Sequence, residues 1–183
     1  MKKKNVVLFF IFTLIVGIFN NVTASALQEE AASNNIIPKP LSFEQKEGNF
    51  KLTKDTAIYF YGRDEGETNE ILNISSYMKM KFILPTGFDL SLVKGINAPE
   101  NSIFLTTIDS DESLGKEGYV LDISESKIKA TAYTPEGLFR AVQTLIQMMP
   151  AEIEERKLVS DVEWNIPSAV INDKPERSYR GLM

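Results

Sequence analysis

The run KIKATAYTPEGLFRAVQTLIQMMP, residues 127–150, changes its apolar period once, and that change decides the fold. Over Lys127 to Tyr133, Ile128, Ala130 and Ala132 alternate with Lys127, Lys129 and Thr131. This is the period of a strand with one buried and one wet face. From Thr134 the period becomes helical: Leu138, Phe139, Val142, Leu145, Ile146 and Met149 recur three and four residues apart. Thr134 is a natural N-cap, Pro135 suits the first helical position, and Glu136 favours the positive helix end. Pro150 ends the helix. A strand feeding directly into an amphipathic helix must bury its apolar face against it, which predicts an α+β layer.

Upstream, Gly118 to Ser124 pairs with Lys127 to Tyr133 as a hairpin. Two β-branched and aromatic runs, Thr56 to Tyr61 and Ile103 to Ile108, read as buried strands. Gly62 to Glu67 reads as a polar loop, and Asn69 or Thr68 as the cap of a helix running to about Phe82. The stretch holding Pro85, Gly87, Gly95 and Pro99 reads as turns. Gly48-Asn49 divides two short pieces, Leu41–Glu47 and Phe50–Lys54. Ile36 to Pro40 enters extended, because each proline pushes the preceding residue out of the α region. Residues 151–158 form a charged connection, and Val159 to Asn172 is extended around Trp164, expected as an interdomain wedge. The expected fold is α+β: about four strands, mainly antiparallel, with two helices on one face. The other sheet face is left wet or covered by a neighbour.

Composition bounds the chemistry. Lys2, Lys3 and Lys4 precede an apolar run of 14 residues from Val6 to Phe19, and Ala24-Ser25-Ala26 supplies a cleavage site, which predicts a signal peptide and export. That run is short of the roughly 20 residues that span a bilayer, so no membrane association is expected after cleavage. No cysteine is present, which excludes disulfides, thiolate metal sites and a lipid-modified cysteine. The 183 residues carry 20 basic and 25 acidic side chains, a formal net charge of −5, with no basic block to suit nucleic acid. There is no histidine, hence no common general base and no imidazole ligand.

No constellation assembles an active site. Asp109, Asp111 and Glu112 follow a strand without calcium-loop spacing and read as a solvated acidic turn. Asp64-Glu65-Gly66-Glu67 and Glu152, Glu154 and Glu155 read as solvated charge. Gly115, Gly118 and Gly137 lack the spacing of a phosphate cradle. Asn21 and Asn73 match the glycosylation acceptor pattern by chance. Tyr59, Phe60, Tyr61, Tyr133 and Phe139 read as core rather than as a sugar-stacking platform. No cofactor and no metal are expected. Arg180 stands apart: its fork of donors suits two sugar hydroxyls or a carboxylate, at the start of what reads as a buried strand.

Three segments together resemble the N-terminal region of family 20 glycoside hydrolases, the β-N-acetylhexosaminidases. They are Ile36-Ile37-Pro38-Lys39-Pro40, the helix Thr134 to Pro150, and the tail Ile171-Asn172-Asp173-Lys174-Pro175 through Tyr179-Arg180-Gly181-Leu182-Met183. After a signal peptide over 1–26 and a solvated linker over 27–35, both read from the residues, the resemblance implies an α+β accessory domain over 36–158. It makes 159–183 the connection to, and start of, a catalytic (β/α)8 barrel that lies beyond this chain. It implies retaining hydrolysis of terminal β-linked N-acetylglucosamine or N-acetylgalactosamine, with the substrate's acetamido group as nucleophile and an Asp–Glu pair on the barrel. Arg180 matches the family's substrate-binding arginine. The implied partners are the barrel domain and an amino-sugar glycan. This chain alone is then expected to be inactive, as a fragment or a truncated product. The alternatives are a free-standing secreted module that binds a glycan or protein through the open sheet face, and the same layer attached to another glycosidase family. The Arg-Gly-Leu-Met tail counts against the last.

Overall fold

The computed structural model describes residues 36–175. The segments expected as signal peptide, linker and start of a barrel strand, with Arg180, lie outside these residues. Among the described residues, seven strands form one sheet: β1 (Ser42–Lys51), β2 (Ala57–Tyr61), β3 (Ser91–Lys94), β4 (Ser102–Thr106), β5 (Tyr119–Ile123), β6 (Lys127–Ala132) and β7 (Asn165–Asp173). Two helices accompany them, α1 (Glu65–Thr86) and α2 (Pro135–Gln147). The spatial order is β1-β7-β5-β6-β4-β2-β3. β1–β7, β7–β5 and β5–β6 are antiparallel, and β6–β4, β4–β2 and β2–β3 are parallel.

The α+β class and the single helix layer agree with the sequence reading, but the sheet is larger and mixed. Three features account for the difference. β1 is one strand whose register shifts between Gln45 and Asn49, so its two halves pair with the same neighbour. β3 is a four-residue edge strand inside the stretch read as turns. β7, read as connection, is an interior strand between β1 and β5, so the domain continues through Asp173. Trp164, expected as a wedge, is 4% exposed within the core, and its carbonyl accepts from Leu52 N at 2.9 Å.

The first helix begins four or five residues earlier than its apolar spacing indicates. Asp64 is its N-cap, with Oδ1 accepting from Glu67 N at 2.9 Å, and Glu65 and Glu67 lie in the first turn. The acidic run thus caps a helix and complements its positive end. Pro85 falls in the last turn, and the helix stops at Gly87, whose φ of 72° is the left-handed conformation a side chain resists.

The core lies between the sheet and the helices. Register aligns Ile58, Ile103, Ile128 and Ile123 across four strands, all fully buried, with Phe60, Leu105, Ala130 and Leu121 one row on. Ile71, Met78 and Phe82 of α1, and Leu138, Ala141, Val142 and Leu145 of α2, cover them. Helix α2 approaches the hairpin very closely. A Cβ on Gly137 would lie 2.4 Å from Gly118 O and 2.8 Å from Ala132 Cβ.

Candidate functional site

On a helix, residues three and four apart share a face. On α1, buried Ile71, Met78 and Phe82 define the side toward the sheet, and Asn73, Tyr77, Met80 and Leu84 define the opposite side. Met80 is 70% exposed and Leu84 is 56% exposed. A helix that covers a sheet and then faces water carries charge there; this one has Glu70 on that side but also exposes the apolar Met80 and Leu84. Phe139 of α2, expected in the core, is among the exposed apolar residues because the inner stripe of α2 is already filled by Leu138 and Val142. Its ring lies 5.5 Å from that of Tyr77, and Gln143 Nε2 donates to Tyr77 Oη at 3.3 Å. A groove of about 360 Å³ between the helices is lined by Ile74 and Phe139 and edged by Glu70, Glu117, Glu136 and Arg140. The outer face of the helix layer is therefore a shaped surface with an exposed apolar ridge, Met80 and Leu84, beside a groove edged by charge, of the kind that a neighbouring domain covers.

At the carboxyl ends of the parallel strands lies a compact polar cluster. Arg63 donates to Glu67 from Nε at 3.2 Å and from NH2 at 2.5 Å, and to Tyr133 O at 2.7 Å. Its guanidinium stacks 4.5 Å from the Tyr133 ring centre. Glu67 Oε2 also accepts from Thr107 Oγ1 at 2.6 Å and from Arg63 N at 3.1 Å. The Arg63 hydrogen bonds hold the Glu67 carboxyl below its ordinary range, and the same bonds raise the guanidinium. Glu67 accepts bonds from both residues and is bound as an internal anion. The cluster ties the ends of β2 and β4 to the segment after β6 and offers no free base. The sequence reading treated Glu67 as loop charge, although the four-residue spacing of Arg63 and Glu67 was the available signal.

A smaller cleft of about 180 Å³ lies where the described chain enters and leaves, lined by Ile36, Pro38, Tyr119, Gln147 and Pro175. Gln147 Oε1 accepts from Ile37 N at 2.8 Å, and Asp173 Oδ1 accepts from Leu41 N at 3.3 Å. Tyr119 Oη and Thr144 Oγ1 share a buried hydrogen bond of 2.6 Å. Burial pushes the Tyr119 phenol up to about 12. Arg180, the one residue expected to touch substrate, lies outside the described residues.

The other candidates fall as follows. Asp109 and Glu112 are exposed, and Asp111 caps a single 3-10 turn through Ser113 N at 2.8 Å. Among the described residues, no group of three acidic, histidine or cysteine side chains is placed to hold a metal, and no helix is long and apolar enough to cross a membrane. Phe60 is buried, and Tyr59 and Tyr61 are half-buried on the sheet face away from the helices, so the five aromatics form no common platform.

Residues 33–174 match the family described as glycosyl hydrolase family 20, domain 2. A beta-hexosaminidase of Porphyromonas gingivalis is 27% identical over 149 residues, covering 81% of this chain and 18% of that protein. A beta-hexosaminidase of Vibrio vulnificus is 26% identical over 156 residues, covering 85% of this chain and 15% of that protein. The solved GH20 beta-N-acetylhexosaminidase from Streptomyces coelicolor aligns with a TM-score of 0.68 at 27% identity, over 80% of this chain and 27% of that one. The chain thus spans between 15% and 27% of the length of these relatives.

Proposed function

The chain belongs to glycosyl hydrolase family 20, whose domain 2 it forms, and from this premise we propose that it is the accessory domain of a longer, exported β-N-acetylhexosaminidase. The observation that carries the reading is the pair of large apolar side chains, Met80 and Leu84, exposed on the outer face of the helix layer. Fully burying side chains such as Met80 and Leu84 contributes about 1.5–3 kcal/mol each. A face of this kind favours a fixed neighbour over free solution. The neighbour is the catalytic barrel, and the domain's role is to support it. The whole enzyme removes terminal β-linked N-acetylhexosamine with retention, using the substrate's acetamido group as nucleophile and an Asp–Glu pair on the barrel. Arg180, entering the first barrel strand, binds sugar hydroxyls. This chain by itself hydrolyses nothing.

The test compares this chain with the protein extended through the following reading frame, using p-nitrophenyl N-acetyl-β-D-glucosaminide. The extended protein is expected to be active and the chain alone inert. Met80→Ser with Leu84→Ser should leave the melting of the chain alone nearly unchanged and lower that of the extended protein. Arg180→Ala in the extended protein should lower kcat/KM by about tenfold or more while its melting is retained. Hydrolysis by the chain alone, or an extended protein indifferent to the helix-face changes, would sink the reading.

A further inference from the structure

We propose that the sheet face turned away from the helices carries a binding site for a short uncharged oligosaccharide, in the cleft roofed by the Asp109–Leu114 loop. Register builds the floor. Ser42 lies across from Asn172, Asn172 from Val120, and Val120 from Thr131, so these side chains form one row over the face opposite the core. Lys129 stands one row away on β6. The loop after β4 rises over this row and closes a cleft of about 430 Å³, within the range of roughly 300–1,000 Å³ typical of small-ligand sites.

The lining has the chemistry of a sugar site. Half-buried Val120, backed by the buried Leu114, offers a small apolar patch to the C–H face of a pyranose ring. Around it, Lys129, Thr131, Asn172 and Asp109 make no side-chain hydrogen bond or ion pair to any described residue, so donors and acceptors of all kinds remain unspent. By contrast, Asp111 is engaged with Ser113 N and Lys174 with Ser113 O, which hold the loop in place. The charges balance: Lys129 and Lys174 against Asp109 and Asp111. A phosphate would meet two carboxylates and a polycation two ammonium groups, whereas a neutral polyol meets neither penalty. The cleft opens away from the helix layer, so a domain docked there leaves it accessible. The inference concerns this chain alone and does not rest on that docking.

The test is a titration of the isotopically labelled chain with N,N′,N″-triacetylchitotriose, with inorganic phosphate as a second probe, followed by amide NMR. Saturable binding with a millimolar Kd is expected, with shifts concentrated at Val120, Lys129, Thr131 and Asn172. Thr131→Val with Asn172→Ala should weaken binding at least tenfold while the remaining spectrum stays unchanged. Met80→Ser, on the helix layer, should leave the affinity unchanged. No saturable shift up to 20 mM sugar, shifts that map to another face, or binding of phosphate in place of sugar would each overturn the proposal. Loss of binding would leave the family assignment and the helix-face reading standing, since those are tested by the activity and melting of the extended protein.

Discussion

Gly137→Ala should destabilise the domain, although alanine is the better helix former. Inside a helix, alanine is favoured over glycine by about 0.8–1.0 kcal/mol. Against this gain stands the added methyl, 2.4 Å from Gly118 O. To reach even 3.0 Å, the carbonyl or the helix must retreat by roughly 0.6 Å, at a site packed to the density of an organic crystal. Neither partner can yield freely. Gly118 is itself wedged, since a Cβ there would lie 2.2 Å from Leu114 O, and Ala132 Cβ flanks Gly137 on the other side. With backbone on one side and a Cβ on the other, the overpacking falls in the upper part of the usual range of about 1–3 kcal/mol, at about 2–3, so the net loss is about 1–2 kcal/mol, or roughly 3–10 °C in Tm for a domain of this size. Gly66→Ala is the matched control: it lies in the first turn of α1, with only Asp64 Oδ1 within reach, at 3.2 Å. It should be as stable as the parent or more so, by up to about 0.8–1.0 kcal/mol, since the same helix preference is opposed there only by a small shift of Asp64 Oδ1. The assay is thermal and urea unfolding of the three proteins side by side. A Gly137→Ala protein as stable as the parent, or more so, would refute the claim that the approach of α2 to the hairpin demands a glycine.

Glu67→Gln should cost about 1.5–3 kcal/mol at neutral pH, as expected for charged hydrogen bonds to Arg63 and Thr107. The folded-state pKa of Glu67 is lowered, so its contribution is present above the unfolded carboxylate value and lost as pH falls through the folded one. Urea melts at pH 7 and near pH 3 should therefore show the gap between parent and variant closing with acid; a gap that persists would refute the ionic account. Tyr119→Phe should cost about 1–2 kcal/mol, because Thr144 keeps a buried hydroxyl without its partner. In the parent, ultraviolet titration should find one phenol ionising near 12 rather than at its ordinary value of about 10. The folded pKa is raised, so the associated stability is whole below about 10 and lost as pH rises toward 12. A titration with no tyrosine above the ordinary range would refute this burial effect.

The elements legible in the chain were those whose signal is local. The β5–β6 hairpin and α2 could be read because one stretch of chain carries both the alternation of Ile128, Ala130 and Ala132 and the helical spacing from Leu138 to Met149. The absence of histidine and cysteine was equally plain. The start of α1 was missed because an N-cap acts through one side-chain bond, from Glu67 N to Asp64, which leaves no periodic trace. Phe139 kept its helical spacing yet stayed partly exposed, since spacing marks a face and not which residues on that face reach the sheet.

By itself, the sequence determined the α+β class, the two helices and most of the strand-forming runs, because backbone preference and apolar period act within a few residues. Only the tertiary structure decided that β7 enters the interior of the sheet, that β3 extends its edge and that Trp164 belongs to the core. It alone joined Arg63, Glu67, Thr107 and Tyr133, and set Gly137 against Gly118. Strand order and close approach depend on pairings between residues far apart in the chain. Their energy comes from the backbone bonds and buried area formed when such segments meet, and a local stretch of sequence records only that it can pair, not with which partner.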